Sequence, residues 1–382
     1  MDKQKTILHL CSYTWEVGGP SSVILNQAKF QQAYAIKNVV ISTINPRMQA
    51  YPQHGLVRVF YFPKSPISSI LPDFSWKLLF WYFKNYKSFD VVQIHGLWNF
   101  GSILPFLFPK KNKIVVTIHG FLDPYVLKES KWKKRIFWNI FHRWQLKKAD
   151  VIHVMSQDEN TIVGQLFPFQ KNIIKYVPNG YDVPLNKFEV KPNFKKELDD
   201  FISNSDCTFL FLGRLHSKKG LGILIEAYKS LIKKELGSVK LIIAGPDDGY
   251  LQELIQETSG LSSGTYLQFP AITGDNKDYL IRSSDVFVLP SYSEGFSIAA
   301  LEAIAYAKAC IFSHHIGFSD ILISNNAALI CDTNAESLVG QMEKLVLNAN
   351  LRSNLGENAL KVHSNNFTNE IVGKQFLDSV FK

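Results

Sequence analysis

Short apolar segments alternate with segments of helical length through most of this 382-residue chain. Such runs, bounded by polar or turn-forming residues, are typical of buried parallel strands joined by crossover helices. The first half contains Thr6–Leu10, Val39–Ser42, Val57–Tyr61, Val91–His95, Ile114–Ile118, Val151–Met155 and Ile174–Val177. The second half contains Phe209–Leu212, Val239–Ala244, Tyr266–Phe269, Val286–Leu289, Ala309–Phe312 and Ala328–Ile330. We therefore predict an α/β fold built on doubly wound parallel sheets.

The alternation stops near the middle of the chain and then restarts. Turn residues at Pro178-Asn179-Gly180 are followed by polar, charged sequence to about Asp206. A chain of this length accommodates two domains of ordinary size. We predict an N-terminal domain at 1–182, a linker region at 183–206, a C-terminal domain at 207–365 and a C-terminal helix at 366–382.

Charge is distributed unevenly between the two halves. The formal charge is +13 over residues 1–182 and −4 over residues 183–382. A basic first half indicates an anionic partner there, which could be a membrane surface, a nucleic acid or a phosphorylated substrate.

The four cysteines are scattered singly, without the paired spacing of a disulfide framework or a zinc site. We therefore expect reduced thiols and a cytoplasmic protein. No run reaches the roughly 18 apolar residues of a membrane span. The apolar run at Thr6–Leu10 is also too short for the core of a signal peptide.

Two carboxylates follow the predicted strand Val286–Leu289. Glu294 lies in the turn after that strand, and Glu302 lies eight residues later in a segment rich in helix formers. Eight residues bring Glu302 within about 80° of the same helical face. Open α/β sheets bind ligands at such strand ends. For Glu294 alone, stabilisation of the helix dipole is an equally good explanation.

A pair of cations follows the first predicted strand of the second domain. Arg214 and Lys219 lie between Gly213 and Gly220, where that strand meets a helix. Arg offers a bidentate fork to phosphate and Lys a point charge. Two such cations would neutralise a diphosphate without a metal.

The first domain contributes weaker signals. Gly19 opens the first helix, where backbone N–H groups suit an anion, although the surrounding sequence is not GxGxxG. His95 is the last residue of one predicted strand, His119 directly follows another, and each precedes a glycine. A lone His in such a place is more often structural, and His119 is the better functional candidate. Trp98 would form either an aromatic wall or part of the core.

Residues 131–148 predict an amphipathic helix with basic residues around an apolar stripe. The stripe consists of Ile136, Phe137, Ile140, Phe141 and Trp144. We expect the stripe to pack on the sheet, and the basic face to be available to an anionic membrane surface on its cytoplasmic side. Nucleic acid is the weaker reading, because no nucleic-acid motif accompanies the charge.

Taken together, these motifs resemble family-four retaining glycosyltransferases. The segment from Glu294-Gly295-Phe296 to Glu302 resembles the family's Glu-x7-Glu motif. The segment from Gly213-Arg214 to Lys219-Gly220 is similar to its diphosphate loop. The segments at 18–19, 95–98, 119–120 and 178–182 fall in the family's order, so the resemblance spans essentially the whole chain.

The resemblance implies a GT-B fold of two Rossmann-like domains facing a cleft, with a final helix that crosses back to the first domain. It also implies a nucleotide-sugar donor on the second domain, a glycan or lipid-linked acceptor on the first, retention of configuration and no metal. The implied catalytic residues are His119 and Glu294. The implied donor-binding residues are Gly19, Gly213, Arg214, Lys219, Gly295, Phe296, Ser297, Ile298 and Glu302. Acceptor or cleft candidates are His95, Trp98 and Asn179.

Sugar transfer in surface polysaccharide or glycolipid synthesis is the function that this resemblance favours. A nucleotide-sugar epimerase on the same fold and a basic polyanion-binding protein are the alternatives. The sequence leaves open the donor base, which could be UDP or GDP, together with the sugar and the acceptor.

Overall fold

The computed structural model describes residues 4–11, 19–45, 55–123, 127, 136–184 and 189–381. The chain forms two compact units. Unit 1 comprises Met1–Gly180 together with Asn369–Lys382, and unit 2 comprises Tyr181–Thr368. The C-terminal helix therefore belongs to unit 1, whose sheet it packs against.

Unit 1 contains a parallel seven-stranded sheet in the order β3-β2-β1-β4-β5-β6-β7. Its strands are β1 (Thr6–Leu10), β2 (Lys37–Ile44), β3 (Arg58–Pro63), β4 (Val91–His95), β5 (Lys113–Thr117), β6 (Val151–Val154) and β7 (Ile174–Tyr176). Its described α-helices are α1 (Gly19–Gln31), α2 (Trp76–Asn85), α3 (Phe100–Ile103), α4 (Arg143–Lys148), α5 (Gln157–Leu166) and, from the end of the chain, α14 (Asn369–Phe381).

Unit 2 contains a parallel six-stranded sheet in the order β10-β9-β8-β11-β12-β13. Its strands are β8 (Cys207–Leu212), β9 (Val239–Ala244), β10 (Tyr266–Phe269), β11 (Val286–Leu289), β12 (Ala309–Ser313) and β13 (Leu329–Cys331). Its helices are α6 (Pro192–Ile202), α7 (Leu221–Ile232), α8 (Leu251–Thr258), α9 (Asp275–Ser283), α10 (Ile298–Ala305), α11 (Ser319–Ser324), α12 (Ala335–Leu347) and α13 (Ala349–Asn366). The predicted α/β fold with two doubly wound parallel sheets is confirmed.

Both sheets are covered on their two faces, which explains why their strands are almost continuously apolar. In unit 1 the side chains of one face pack with α14 through Val372, Phe376 and Val380. Gly373 allows this helix to approach α1, because a Cβ there would lie 2.1 Å from the ring of Phe30. The last helix therefore stabilises a sheet whose strands are more than 190 residues earlier in the sequence.

The predicted linker region at 183–206 is partly structured. Helix α6 begins with Pro192 at its first turn, where proline is favoured, and buries Leu198 against unit 2. Tyr279 on α9 donates a hydrogen bond of 2.6 Å to Asp199 on α6. The polar composition of this segment thus reflects a surface helix, although residues 185–188 lie outside the described range.

The predicted helix at 131–148 is described only from residue 136 onward. A π-helical turn at Trp138–His142 precedes α4 and changes the helical phase by its i to i+5 bonding. The buried face consequently passes to His142, Gln145 and Leu146. Ile136, Ile140 and Trp144 are exposed, so the expectation that the whole apolar stripe packs on the sheet is wrong.

Candidate active site

A buried ion pair lies at the carboxyl end of the sheet in unit 2. The apolar strand β11 ends at Leu289, and the turn after it places Glu294 against the ammonium group of Lys219. The hydroxyl of Ser291 also donates to Glu294, at 2.9 Å. The side chains of Lys219 and Glu294 are only 12% and 7% exposed, so water screens this pair weakly.

Lys219 reaches that position through a short turn after β8. A 3-10 turn at Ser217–Lys219 ends in Gly220, whose φ of +72° lies in the left-handed region. A Cβ on Gly220 would lie 2.1 Å from the carbonyl oxygen of Pro290. Glycine is therefore required here for two reasons, and the close approach joins the lysine-bearing turn to the glutamate-bearing turn.

The charge state of Glu294 follows from these neighbours. Burial alone would raise the pKa of the Glu294 carboxyl, but the ammonium of Lys219 and the hydroxyl of Ser291 outweigh it. The net result is a lowered pKa. Glu294 is thus held as a carboxylate that accepts hydrogen bonds, rather than as an acid that donates a proton.

Glu302 forms a second buried pair, on α10. Its carboxylate lies 2.5 Å from Nζ of Lys277, which comes from α9. Burial raises the pKa of Glu302 and the Lys277 ammonium only partly opposes this. The two carboxylates predicted from the sequence therefore have pKa values shifted in opposite directions, an arrangement that gives them different chemical behaviour.

Arg214 differs from Lys219 in its surroundings. Its guanidinium lies 2.6 Å from a carboxylate oxygen of Asp248, and the two side chains are 44% and 37% exposed. The preceding Gly213 lies under Gly245, where a Cβ would come within 1.8 Å of the Gly213 carbonyl oxygen. Arg214 therefore projects from a tightly packed backbone into solvent, where its guanidinium can exchange partners.

The backbone after Glu294 leads directly into α10. Ser297 caps this helix by accepting a hydrogen bond of 3.3 Å from the N–H of Ala300. The ring of Phe296 packs on Phe318, with ring centroids 4.9 Å apart. Because these side chains face the core, Gly295, Phe296, Ser297 and Ile298 offer a ligand mainly their backbone N–H groups at the helix start.

In unit 1, three histidines and an asparagine form one chain of side-chain contacts. Nε2 of His9 lies 2.9 Å from Oδ1 of Asn38, and Nδ1 of His9 lies 3.0 Å from Nε2 of His95. Nδ1 of His95 lies 2.9 Å from Nε2 of His119. Burial lowers the pKa of His9 to about 4, that of His119 to about 3, and that of His95 well below its usual value. All three imidazoles are therefore neutral at physiological pH.

The backbone at His119 is held by a buried carboxylate. His119 has a φ of +55°, which costs a residue with a side chain roughly 1–3 kcal/mol. The next N–H group, that of Gly120, donates to Glu159, whose other oxygen accepts from the N–H of Met155 at 2.8 Å. Burial raises the pKa of Glu159 to about 6, although those two N–H groups oppose the shift.

The remaining candidates of unit 1 lie apart from the histidine chain. Trp98 packs against His142, with ring centroids 4.7 Å apart, and its indole N–H donates to the carbonyl of Phe121 at 3.3 Å. Asn179 is buried beside α14, and its Oδ1 has no hydrogen-bond partner among the described residues. Gly19 is the first residue of α1, and a Cβ there would meet nothing within 4 Å.

Two protein-family models match the sequence that forms these two units. The model described as glycosyl transferases group 1 matches residues 195–362, and the model described as glycosyltransferase family 4 matches residues 17–184. The chain belongs to glycosyltransferase family 4. The family 4 model covers the candidate residues from Gly19 to Asn179 of this glycosyltransferase, and the group 1 model covers those from Gly213 to Glu302.

Several relatives of this family 4 glycosyltransferase resemble it over most of their length. An uncharacterised glycosyltransferase of Methanocaldococcus jannaschii is 26% identical over 335 residues, which cover 85% of this chain and 81% of the relative. A GDP-mannose:cellobiosyl-diphosphopolyprenol alpha-mannosyltransferase of Xanthomonas oryzae pv. oryzae is 26% identical over 356 residues, 87% of this chain and 85% of the relative.

Among solved structures, HepE of Anabaena in complex with UDP-glucose aligns with a TM-score of 0.74 and 18% sequence identity. The alignment covers 98% of this chain and 99% of HepE. At that identity the likeness shows the fold, which is GT-B.

Some residues of these clusters were not predicted from the sequence, notably Lys277, Asp248 and His9. Each pairs with a predicted residue that is distant in sequence, so no local sequence pattern indicates the contact. Glu159 is the exception. The spacing of Ser156 and Glu159 is that of a capping box, and Ser156 does accept a hydrogen bond of 3.1 Å from the N–H of Glu159.

Proposed function

We propose that this family 4 glycosyltransferase transfers a sugar from a nucleotide-sugar donor to a glycan or lipid-linked acceptor, with retention of configuration and without a metal. The observation that carries this proposal is the buried pair of Lys219 and Glu294 at the carboxyl end of the unit 2 sheet. A cation and a carboxylate at a strand-to-helix turn suit a ligand that has both phosphates and sugar hydroxyls.

The residues then take distinct roles. Lys219 and Arg214 bind the diphosphate and stabilise the charge that develops when the nucleotide leaves. Glu294 accepts hydrogen bonds from hydroxyls of the donor sugar, and Glu302 accepts from the ribose hydroxyls. His119 lies by the donor sugar at the reaction centre. The positive charge of Lys219 and Arg214 is the reason why we propose that the diphosphate needs no metal ion.

Named relatives support the substrate classes in this proposal. HepE was solved with UDP-glucose, and the Xanthomonas enzyme is named for a GDP-mannose donor and a diphosphopolyprenol-linked acceptor. A capsular polysaccharide biosynthesis glycosyltransferase of Staphylococcus aureus is also similar to this chain. These names support our proposal that the reaction belongs to the synthesis of a surface polysaccharide or glycolipid.

A donor panel tests the proposal. UDP- and GDP-sugars are screened first by thermal shift, where binding to the folded protein raises its Tm, and then for slow hydrolysis and transfer. Glu294→Gln should lower kcat by about 100-fold while UDP or GDP still raises the Tm. Full transfer activity in that variant would contradict the role of Glu294.

The same screen separates the alternatives. An epimerase would convert the sugar without an acceptor, which analysis of the product anomer and sugar detects. A polyanion-binding protein would be stabilised by oligonucleotides rather than by UDP or GDP. The paired carboxylates at 294 and 302 argue against that last alternative, because carboxylates repel a polyanion.

We also propose that unit 1 binds the surface of an anionic membrane, with the segment 131–148 as one contact. Its described part exposes Ile136, Ile140 and Trp144, together with basic residues Arg143, Lys147 and Lys148. Apolar side chains and cations on one surface are typical of helices that lie in the lipid interface. Among the described helices none is long and apolar enough to cross a bilayer.

Helix α2 extends this surface and makes it more aromatic. Trp76, Phe80 and Phe83 on its outer side are 53%, 61% and 60% exposed. Lys77, Lys84 and Lys87 are exposed on the same helix and the turn after it, and no acidic residue lies between Asp73 and Asp90. Ring contacts connect the two regions, since Phe83 packs on Phe108 at 5.8 Å and Phe106 packs on Trp144 at 5.7 Å between centroids.

Vesicle flotation tests this partner. The protein should float with vesicles that contain phosphatidylglycerol and not with vesicles of phosphatidylcholine alone, and salt should weaken the binding. A Trp76→Ser/Phe80→Ser/Phe83→Ser variant should lose most of the binding. Phe169→Ser is the matched control, because Phe169 is 97% exposed yet lies outside this surface. Undiminished flotation of the triple variant would refute the α2 contact.

A further inference from the structure

The histidine chain of unit 1 crosses four neighbouring strand positions of the sheet. Asn38 lies on β2, His9 on β1 and His95 on β4, and His119 follows β5. Asn38, His9 and His95 are almost completely buried, whereas His119 is half-buried. Only the His119 end of the chain therefore reaches a position where a substrate could meet it.

A chain of neutral imidazoles permits only two proton arrangements. Each ring carries one N–H and one bare nitrogen, so each contact between rings needs a donor on one side and an acceptor on the other. If one ring's tautomer is fixed, all the others follow. The group at the closed end therefore determines which nitrogen of His119 carries the proton.

Asn38 is the group at that closed end. Its Oδ1 faces Nε2 of His9, and its Nδ2 has no hydrogen-bond partner among the described residues. An amide oxygen can only accept, so with this orientation of Asn38 the Nε2 of His9 donates to it and Nδ1 of His9 is bare. Nε2 of His95 then donates to His9, and Nε2 of His119 donates to His95. Nδ1 of His119 is left without a proton.

We propose that Asn38 and His9 are positioning residues that fix His119 as the Nε2–H tautomer, so that its Nδ1 accepts a hydrogen bond from a substrate hydroxyl. This inference rests on the proposed sugar transfer for its function, because a hydroxyl on the donor or acceptor is the group that Nδ1 would receive. The tautomer order itself is a property of the chain without any ligand.

Nitrogen NMR of the imidazoles tests the tautomer order directly. Two-bond 1H–15N spectra of histidine-labelled protein distinguish the two neutral tautomers and the cation, and single His→Gln variants assign the signals. We expect His9, His95 and His119 to be neutral Nε2–H forms from pH 8 down to pH 5.5. A His119 ring with its proton on Nδ1 in the unsubstituted protein overturns the proposal, whatever its activity.

Variants at Asn38 test the remote control of His119. Asn38→Leu removes the terminal acceptor, so His119 should become a mixture of tautomers. The kcat for transfer should fall on the order of tenfold with little change in the KM for the donor. An unchanged His119 signal in Asn38→Leu would refute the proposal.

His153 provides the matched control. It is an equally buried imidazole in the same sheet, and its hydrogen bonds go to Thr117 and the carbonyl of Val177. It is close enough to His95 and His119 for its charge to lower their pKa, but no described hydrogen bond joins it to either ring. His153→Gln should leave the tautomer of His119 unchanged. Since the spectra are recorded without substrate, failure of every donor to react would refute sugar transfer and leave the tautomer result intact.

Discussion

The two units use the same strand order around their first strand but bury different kinds of polar group. In unit 1, β2-β1-β4-β5 carry neutral imidazoles and amides inside the sheet layer. In unit 2, the corresponding β9-β8-β11-β12 are almost entirely apolar. One buried ion pair lies in the turns after β8 and β11, and a second joins Lys277 of α9 to Glu302 of α10.

The two units differ in whether their buried polar groups are charged. Ion pairs at a sheet edge can exchange their partners for a phosphate or a hydroxyl, which suits a site for a charged ligand. Neutral imidazoles inside a sheet avoid the cost of a buried charge and present one defined hydrogen-bonding atom at their end. The two units should therefore respond differently to acid and to the loss of a single cation.

The largest expected effect is that of acid on unit 1. Burial lowers the pKa of His142 and His153 to about 4, as it lowers those of the histidine chain. Stability from these rings is complete above their unfolded pKa near 6.5 and is lost as the pH falls toward the folded values. The loss is about 1 kcal/mol per pH unit for each ring between pH 6.5 and 4.

Glu159 in unit 1 and His363 in unit 2 both reduce the difference in acid sensitivity between the two units. The raised pKa of Glu159 opposes the loss in unit 1 below about pH 6, because the folded state then binds the extra proton. In unit 2, His363 also has a pKa lowered by burial. Because five imidazoles outnumber these groups, unit 1 should still lose more stability.

Hydrogen exchange at pH 7.5 and pH 5.5, corrected for intrinsic rates, measures the contrast. Protection of β4 and β5 should fall more than protection of β8 and β11. No further gain should appear at pH 8.5, where the rings are neutral in both the folded and the unfolded state. Equal losses of hydrogen-exchange protection in the two sheets would contradict the greater acid sensitivity of unit 1.

The next largest effect is expected from Lys219→Met. The substitution leaves Glu294 buried without its cation, which costs about 3–5 kcal/mol in the free energy of unfolding. The pKa of Glu294 should rise, so the loss should shrink at low pH. Lys219→Met/Glu294→Met should recover much of the stability, because it removes the unpaired charge together with its partner.

Urea unfolding measures these values, with Lys195→Met as the control. Lys195 pairs with Asp199 at the surface, where such a pair contributes less than about 1 kcal/mol. If both lysine variants cost the same, the pair at Glu294 is not the buried pair that we describe.

The smallest effect on stability is expected from Arg214→Ala. Its pair with Asp248 is well exposed, so the free energy of unfolding should change by less than about 1 kcal/mol. The rise in Tm on adding UDP or GDP should nevertheless shrink, because a diphosphate loses its bidentate partner. Asp248→Ala, which frees the guanidinium, should preserve or increase that rise. A destabilisation above 2 kcal/mol would contradict the surface placement of Arg214.

The sequence predicted the fold well because strand and helix periodicity are local. Strands β4 and β11 have their predicted bounds to the residue, since apolar runs between polar residues define them. The predictions were less accurate where the local composition is compatible with two different structures. The polar segment at 183–206 predicts a linker region, but it contains helix α6. The π-helical turn at 138–142 changes which residues of its helix are buried.

For the candidate site, the sequence identified residues at strand ends but not their partners. Arg214, Lys219, Glu294 and Glu302 stand out because glycines and strand ends frame them. Lys277 comes from a different helix and Asn38 from a different strand, and neither has a distinguishing neighbour in the sequence.

The sequence by itself thus determined two parallel sheets, their strands and which side chains follow each strand. Only the tertiary structure decided that Asn38, His9, His95 and His119 form one chain and that Lys219 meets Glu294. The physical reason is the crossover connection of parallel sheets, which places strands side by side that are tens of residues apart. Contacts along the chain follow from its local pattern, whereas contacts across the sheet follow from strand order and burial.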